Sequence, residues 1–373
     1  MKIPLSAPDI TEAEIDAVVA VLRTSRLSLG PVTEEFESAV ARYASLPHAV
    51  AVSSGTAGLH LCIRALGIGE GDEVIVPSFT FIAAANAIRY ERATPVFADI
   101  DPCTLNIDPK KIEEAITSRT RAILAVHTFG VPADMTAILE TAQRHGLLVI
   151  EDACEAIGAE YRGCRVGSMG NAGVFAFYPN KQITTGEGGV VVTRDEALAR
   201  RIRALRNQGR YESDDWFQHT ELGYNYRISE INCALGLAQM ARLEDILKKR
   251  AEVASAYHRR LSVCPELSLP PVALAAGRIS WFVYVVRLNA GAPLDRDAVM
   301  HGLAAAGIAS GRYFAPIHLQ PSYAAWRHSA DLAVTEEMAS RTLALPFFNN
   351  IQADAIDRVC ATLGRLLLPR QAP

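Results

Sequence analysis

Lys181 is the residue whose surroundings first suggest chemistry. It sits in V-F-A-F-Y-P-N-K-Q-I-T-T-G-E-G-G, Val174 to Gly189. The apolar run Val174 to Tyr178 reads as a strand, Pro179-Asn180 as a turn, and Val190 to Thr193 as a second strand beyond a Thr/Gly loop. An ammonium withdrawn from water gives up its proton more readily, and the neutral amine attacks carbonyls. In that setting Lys181 reads as a Schiff-base lysine, the kind that carries pyridoxal phosphate.

That cofactor needs two further anchors, an acid for its ring nitrogen and a cradle for its phosphate. The acid keeps the pyridine protonated so that the ring accepts electrons from a carbanion. Asp152 is the candidate, ending the apolar run Leu147 to Ile150; Glu151 competes, but strand alternation turns it to the other face. The candidate cradle is Ser53-Ser54-Gly55-Thr56-Ala57, between a strand and a helix. Unpaired N–H groups and the helix dipole favour an anion there, with Ser54, Gly55 and Thr56 closest to it. Phe81, in P-S-F-T-F, is the candidate ring to stack on the pyridine, and His127, at a strand end, is a candidate substrate contact or a hydrogen-bonded structural histidine.

These residues must be positioned by the elements around them. Thr11-Glu12-Ala13-Glu14 is a capping box that opens an amphipathic helix through Leu22, and a second helix is expected near Thr33 to Ala44. From Ala49 the chain alternates. Strands are expected at Ala49–Val52, Glu73–Val76, Pro95–Ala98, Ala122–His127 and Leu147–Ile150. Helices are expected at Thr56–Leu66, Phe81–Glu91, Asp108 to about Thr117, and Asp134–His145. This rhythm predicts an α/β fold, a mixed and mostly parallel sheet with helices on both faces, whose ligands collect at the carboxyl ends of strands. After a basic helix, Asp195–Arg206, one long helical pattern runs from Ser229 to about Leu261. The segments from Trp281 to Leu368 predict a smaller α+β unit. The expected division is a large cofactor-binding domain over 1–245 and a small C-terminal domain over 246–373.

Composition excludes other classes. A net charge of −4 over 373 residues offers no nucleic-acid footprint. No apolar run is long enough to cross a bilayer, and Met1 to Ser6 does not read as the start of a signal peptide. The seven cysteines form no C-x-x-C pair, so neither a metal site nor a disulfide framework is expected and a cytoplasmic location is. Gly67, Gly69 and Gly71 follow a helix rather than open one, which argues against a dinucleotide fold.

Nearly the whole chain resembles the DegT/DnrJ/EryC1/StrS sugar aminotransferases, on the aspartate-aminotransferase (type I) fold. The resemblance is carried by Gly30-Pro31, S-S-G-T-A, P-S-F-T-F, V-F-A-D-I-D, H-T-F-G and E-D-A-C-E-A-I-G-A. It continues through the lysine stretch, L-G-Y-N-Y-R-I-S-E-I, I-H-L-Q and L-P-F-F. It implies pyridoxal 5'-phosphate on Lys181, a ring-nitrogen partner in Asp152, phosphate contacts from Gly55 and Thr56, and stacking by Phe81. It also implies that Asn225, with Arg227, reaches into a neighbouring subunit's site, so that a homodimer shares its active sites. His127, Arg227 and His318 are the expected substrate contacts.

Two positions depart from the family's commonest pattern. Ala176 stands where many members have a phosphate-binding serine, and Glu155, a further cofactor contact, where many have glutamine. Glutamate there, with T-T-G-E-G-G, is similar to the GDP-perosamine synthase branch. The activity implied is transfer of an amino group from glutamate to a nucleotide-linked 4-keto-6-deoxy sugar. Alternatives on the same fold are transfer to another keto sugar or keto-cyclitol, or a regulatory protein without turnover. A 3-dehydratase of this fold would carry histidine at the position of Lys181.

Overall fold

A computed structural model describes residues 2–274, 277–326 and 331–368. The strands are β1 (His48–Val52), β2 (Glu73–Pro77), β3 (Thr94–Ala98), β4 (Thr120–Val126), β5 (Leu148–Asp152), β6 (Ala172–Ala176) and β7 (Gly189–Thr193). They form one sheet in the order β1-β7-β6-β5-β4-β2-β3. All run the same way except β7, which pairs antiparallel with both β1 and β6. β7 returns straight from the lysine loop, so a short connection replaces the usual crossover helix.

Alternating side chains build a core on each face of this sheet. Val50, Val52, Val174 and Val191 pack beneath α3 (Gly55–Ala65) and α7 (Glu196–Arg206). Ala49, Ala51, Phe175 and Val192 face the opposite way, towards α2 (Pro31–Ala44). Further along that second face, Ile75, Ile123 and Val149 meet α5 (Pro109–Ala115) and α6 (Met135–His145). α1 (Glu12–Leu22) opens with the expected box, in which Glu14 accepts from both the Thr11 N–H and hydroxyl. Asp108 caps α5 ahead of Pro109.

The helix expected over Phe81–Glu91 is shorter, α4 at Ala83–Tyr90, which leaves Phe81 on the loop before it. The long pattern from Ser229 is two helices, α8 (Glu230–Ala241) and α9 (Leu243–Leu261), broken at Arg242, whose φ/ψ of −108°/5° leaves the helical basin. A second, three-stranded antiparallel sheet follows, β8 (Leu267–Ser268), β9 (Tyr284–Leu288) and β10 (Thr342–Leu345), with β9 central. α9, α10 (Arg296–Ala305) and α12 (Ala353–Leu367) cover it through Tyr257, Leu303, Val359 and Leu363. α11 (Ala333–Arg341) leads directly into β10. Met1 and residues 369–373, the outer ends of the expected division, lie outside the described residues.

No helix among the described residues is long and apolar enough to cross a membrane. Nor does any group of three or more His, Cys, Asp and Glu side chains there stand ready to hold a metal ion.

Candidate active site

The carboxyl ends of β4, β5 and β6 open into a cavity of about 650 Å3. Lys181, Asp152, Glu155, Ser54, Gly55, Thr56 and Phe81 all line it, so seven sequence candidates share one space.

Each is placed by a local cause. Asp152 ends β5 and lines the cavity, and its Oδ1 accepts from Cys154 N at 3.1 Å. Glu151 points the other way, fully buried, and accepts from the N–H groups of Gly167, Met169 and Gly170. Period-two alternation separated these adjacent carboxylates as expected. Ser54 caps α3 by accepting from Ala57 N at 3.1 Å, so its lone pair serves the helix. The Gly55 and Thr56 N–H groups are in the first turn, where a helix has no carbonyl of its own to offer them.

Two glycine contacts join the cradle to the lysine loop. A Cβ on Gly55 would lie 2.6 Å from the Ala176 Cβ, and one on Gly189 would lie 2.7 Å from the Ser54 carbonyl carbon. Only hydrogens fit between those backbones. The loop is pinned from behind as well. Thr184 donates to Phe177 O at 3.0 Å, Thr184 N donates to Gln239 of α8 at 3.3 Å, and Asn232 Nδ2 donates to Glu187 O at 3.2 Å.

Lys181 itself is only 13 % exposed. Its Nζ lies 3.5 Å from Glu155 Oε1 and 4.0 Å from the centroid of the Phe282 ring. Glu155 also accepts from Phe129 N at 2.9 Å. Burial pushes its carboxyl above the usual range, against the pull of the Lys181 ammonium. Gln182 ties the loop to a distant segment, donating to Glu155 O at 2.6 Å and to Ser280 Oγ at 2.9 Å.

Other candidates fall elsewhere. His127 does not reach the cavity; it is fully buried, with Nε2 3.0 Å from Glu151 Oε2 and Nδ1 accepting from Ala133 N. It follows β4 and supports the loop between that strand and α6, so a substrate contact is ruled out by its orientation. His318 is buried too. Its Nδ1 lies 2.7 Å from Ser78 Oγ and its Nε2 3.1 Å from Glu336, and it does not line the cavity. Asn225 is exposed and held by a backbone bridge to Asn207, while Arg227 donates to the Asn207 side chain at 3.1 Å. Neither reaches the cavity of its own chain.

Phe282, Arg312 and Tyr313 form a wall of the cavity. Sequence reasoning missed Phe282, about a hundred residues beyond Lys181, which nothing local marks.

The residues present fit pyridoxal phosphate. Phe81 is an aromatic ring left 60 % exposed on the cavity, and Asn180 Oδ1 is buried there without a partner. A phosphate-sized anion is served by the first turn of α3, and the cavity is large enough for a flat ring with a substrate attached.

Known proteins agree. Residues 8–364 match the model of the DegT/DnrJ/EryC1/StrS aminotransferase family. The chain is 44 % identical to the GDP-perosamine synthase of Caulobacter vibrioides, over 98 % of this chain and 99 % of that protein. Among solved structures it resembles S. venezuelae DesV (TM-score 0.91, 37 % identity, 99 % of each chain). It also resembles the putative sugar aminotransferase Spr1654 of Streptococcus pneumoniae in its PLP form (TM-score 0.93, 27 % identity, 98 % of each chain). A whole-length match of this kind, on a lysine, acid and helix-turn arrangement that fits the cofactor, places the chain in the DegT/DnrJ/EryC1/StrS family of pyridoxal-phosphate-dependent aminotransferases.

Proposed function

We propose that the protein moves an amino group from glutamate to the keto carbon of a nucleotide-linked 4-keto-6-deoxy sugar, as the name of its perosamine-synthase relative suggests. The observation that carries this reading is the shared cavity of Lys181, Asp152 and the Gly55–Thr56 turn. Pyridoxal phosphate, when bound, supplies the electron sink that amino transfer requires. Lys181 would hold it, Gly55 and Thr56 would receive its phosphate with Ser54 as the cap behind them, and Phe81 and Glu155 would complete its surroundings. Asp152 would keep a proton on its ring nitrogen. Once free, Lys181 Nζ takes a proton from the donor carbon and returns one on the acceptor side, as general base and then general acid. The aromatic wall of Phe282, Tyr313 and Phe314 excludes water from that transfer.

The active unit is a homodimer in which Asn225 and Arg227 complete the neighbour's site. Charge supports this. The lining of the cavity holds two cations, Lys181 and Arg312, against the carboxylates of Asp152, Glu155 and Glu187. That set is poor in positive charge for a phosphate, a dicarboxylate donor and a nucleotide. The exposed Trp216, Phe217 and Leu222, each more than three-quarters accessible, give a second copy an apolar surface to cover. The residues group as a cofactor-binding part over 1–245 and a smaller part over 246–373, and the free cysteines suit a reducing, cytoplasmic compartment.

The test is a panel of GDP- and dTDP-linked 4-keto-6-deoxy sugars and keto-cyclitols incubated with glutamate. Amino-sugar formation that disappears in Lys181→Ala supports the reading; turnover by that variant, or turnover of keto-cyclitols alone, refutes it.

A further inference from the structure

Both substrates of such a reaction are anionic, yet among the described residues that line the cavity Arg312 alone remains as a cation to meet them once Lys181 holds the cofactor. The placement of Arg312 is specific. Gly311 before it exchanges two backbone hydrogen bonds with Ala344 of β10, at 3.1 and 2.8 Å. Tyr313 after it accepts from Asn180 Nδ2 at 3.5 Å, next to Lys181 in the chain. A strand contact on one side and a contact to the lysine loop on the other hold the backbone from which the arginine extends along the cavity.

Its charge is held there without being cancelled. Arg312 Nη2 donates to Asp297 Oδ2 at 2.9 Å, while Arg296 Nε donates to Oδ1 of the same carboxylate at 2.5 Å. Two guanidiniums share one anion, so a positive charge is left over. Arg296 also donates to Ala339 O and does not line the cavity. Arg312 does line it, with N–H donors left over from a fork that matches a carboxylate.

We propose that Arg312 recognises the carboxylate of the amino donor. The inference rests on the transaminase reading above. An α-carboxylate is one bond from the carbon that reacts, so it has to enter the cavity with that carbon. The phosphates of a nucleotide sugar are several bonds from the keto carbon and lie farther out. The same guanidinium chemistry serves either anion, so the experiment separates them.

Cofactor-loaded, full-length protein is mixed with glutamate alone, and the loss of visible absorbance is followed in a single turnover. In Arg312→Gln the half-saturating glutamate concentration rises about ten- to a hundred-fold, the scale of a lost charge-assisted pair, while the limiting rate changes far less. Arg312→Lys keeps the charge without the fork and falls between. Arg296→Gln leaves Asp297 to Arg312 alone, so it raises the half-saturating concentration by less than Arg312→Gln does and leaves the limiting rate as in wild type. GDP affinity, measured by calorimetry, is the same in wild type and Arg312→Gln. The proposal is overturned if Arg312→Gln saturates at wild-type glutamate concentrations, or if its GDP affinity falls instead. A wild-type protein that does not respond to glutamate at all would sink the transaminase reading itself, a separate outcome.

Discussion

The Lys181 ammonium sits over the face of Phe282, 4.0 Å from the ring centroid, although the two residues are far apart in the chain. A cation so placed is attracted by the negative face of the ring, by roughly 0.5–2 kcal/mol. The ring also walls the space in which the free amine moves. Phe282→Leu is expected to slow the single-turnover reaction with glutamate by roughly three- to thirty-fold, and Phe282→Tyr to stay near wild type. Equal rates for Leu and Phe would show that the ring is only packing.

Phe282 is itself held by a buried arginine. Arg250 is 2 % exposed and donates to Trp281 O, Phe282 O and Asn349 Oδ1, with its guanidinium 4.9 Å from the Phe347 ring. Burial pushes it down to about 9. Arg250→Met leaves two backbone carbonyls and an amide without donors. The expected loss is about 3 kcal/mol, read as a lower urea midpoint at unchanged slope.

Gly55 gives a sharper test of the cradle. A methyl at this position meets Ala176 Cβ at 2.6 Å and Cys154 Sγ at 3.0 Å, both closer than packed atoms tolerate. Gly55→Ala has to shift either the first turn of α3 or the end of β6. It is expected to weaken cofactor retention on dialysis, with a stability loss of about 1–3 kcal/mol. The double variant with Ala176→Gly recovers most of that loss. No recovery would mean the strain lies elsewhere.

The parts of the site that were legible in the sequence have local causes. Asp152 and Glu151 could be told apart because alternation along a strand is fixed by backbone geometry. Lys181 and the Gly55 turn stand at junctions between apolar runs and turn residues. His127 and His318 were misassigned because a polar residue at the end of an element looks alike whether it faces a cavity or a buried partner. What decides is Glu151 for one and the Ser78–Glu336 pair for the other, and sequence spacing does not reveal those contacts. Phe282 was invisible for the same reason: only the packing of the second sheet against the first brings it, with Arg312 and Tyr313, to the lysine. The helix break at Arg242 escaped because the apolar spacing runs through it, while Asp9 and Glu14 draw its guanidinium aside.

That arginine also governs acid stability. Burial alone would raise Asp9 and Glu14. Hydrogen bonds from Asn349, Lys249 and Arg242 to Asp9, and from Thr11, Gln239 and Arg242 to Glu14, outweigh it and hold both carboxyls at about 2. Their ordinary values are 3.8 and 4.5, so the folded protein binds protons less readily than the unfolded chain. The stabilisation is therefore complete above about pH 4.5 and is lost as pH falls towards 2. The urea midpoint should decline across that window in wild type. In Arg242→Met it should start lower and decline less steeply. Parallel curves for the two proteins would mean the network carries no linkage.

The shared-site dimer can be tested by mixing two inactive proteins. Lys181→Ala lacks the cofactor lysine but keeps Asn225 and Arg227, whereas a double variant, Asn225→Ala with Arg227→Ala, keeps the lysine. Asn225 is exposed and Arg227 is partly exposed, donating to the Asn207 side chain, so the double variant should fold. If those residues serve the neighbour, a mixed dimer has one site with both defects and one with neither. Random exchange makes about half the dimers mixed, so about a quarter of wild-type activity should return after the pool is unfolded and refolded together. Mixing without refolding gives less, limited by subunit exchange. If each site instead used its own Asn225 and Arg227, every site in a mixed dimer would keep one defect. No activity would then return at any ratio, even with dimers demonstrated by light scattering.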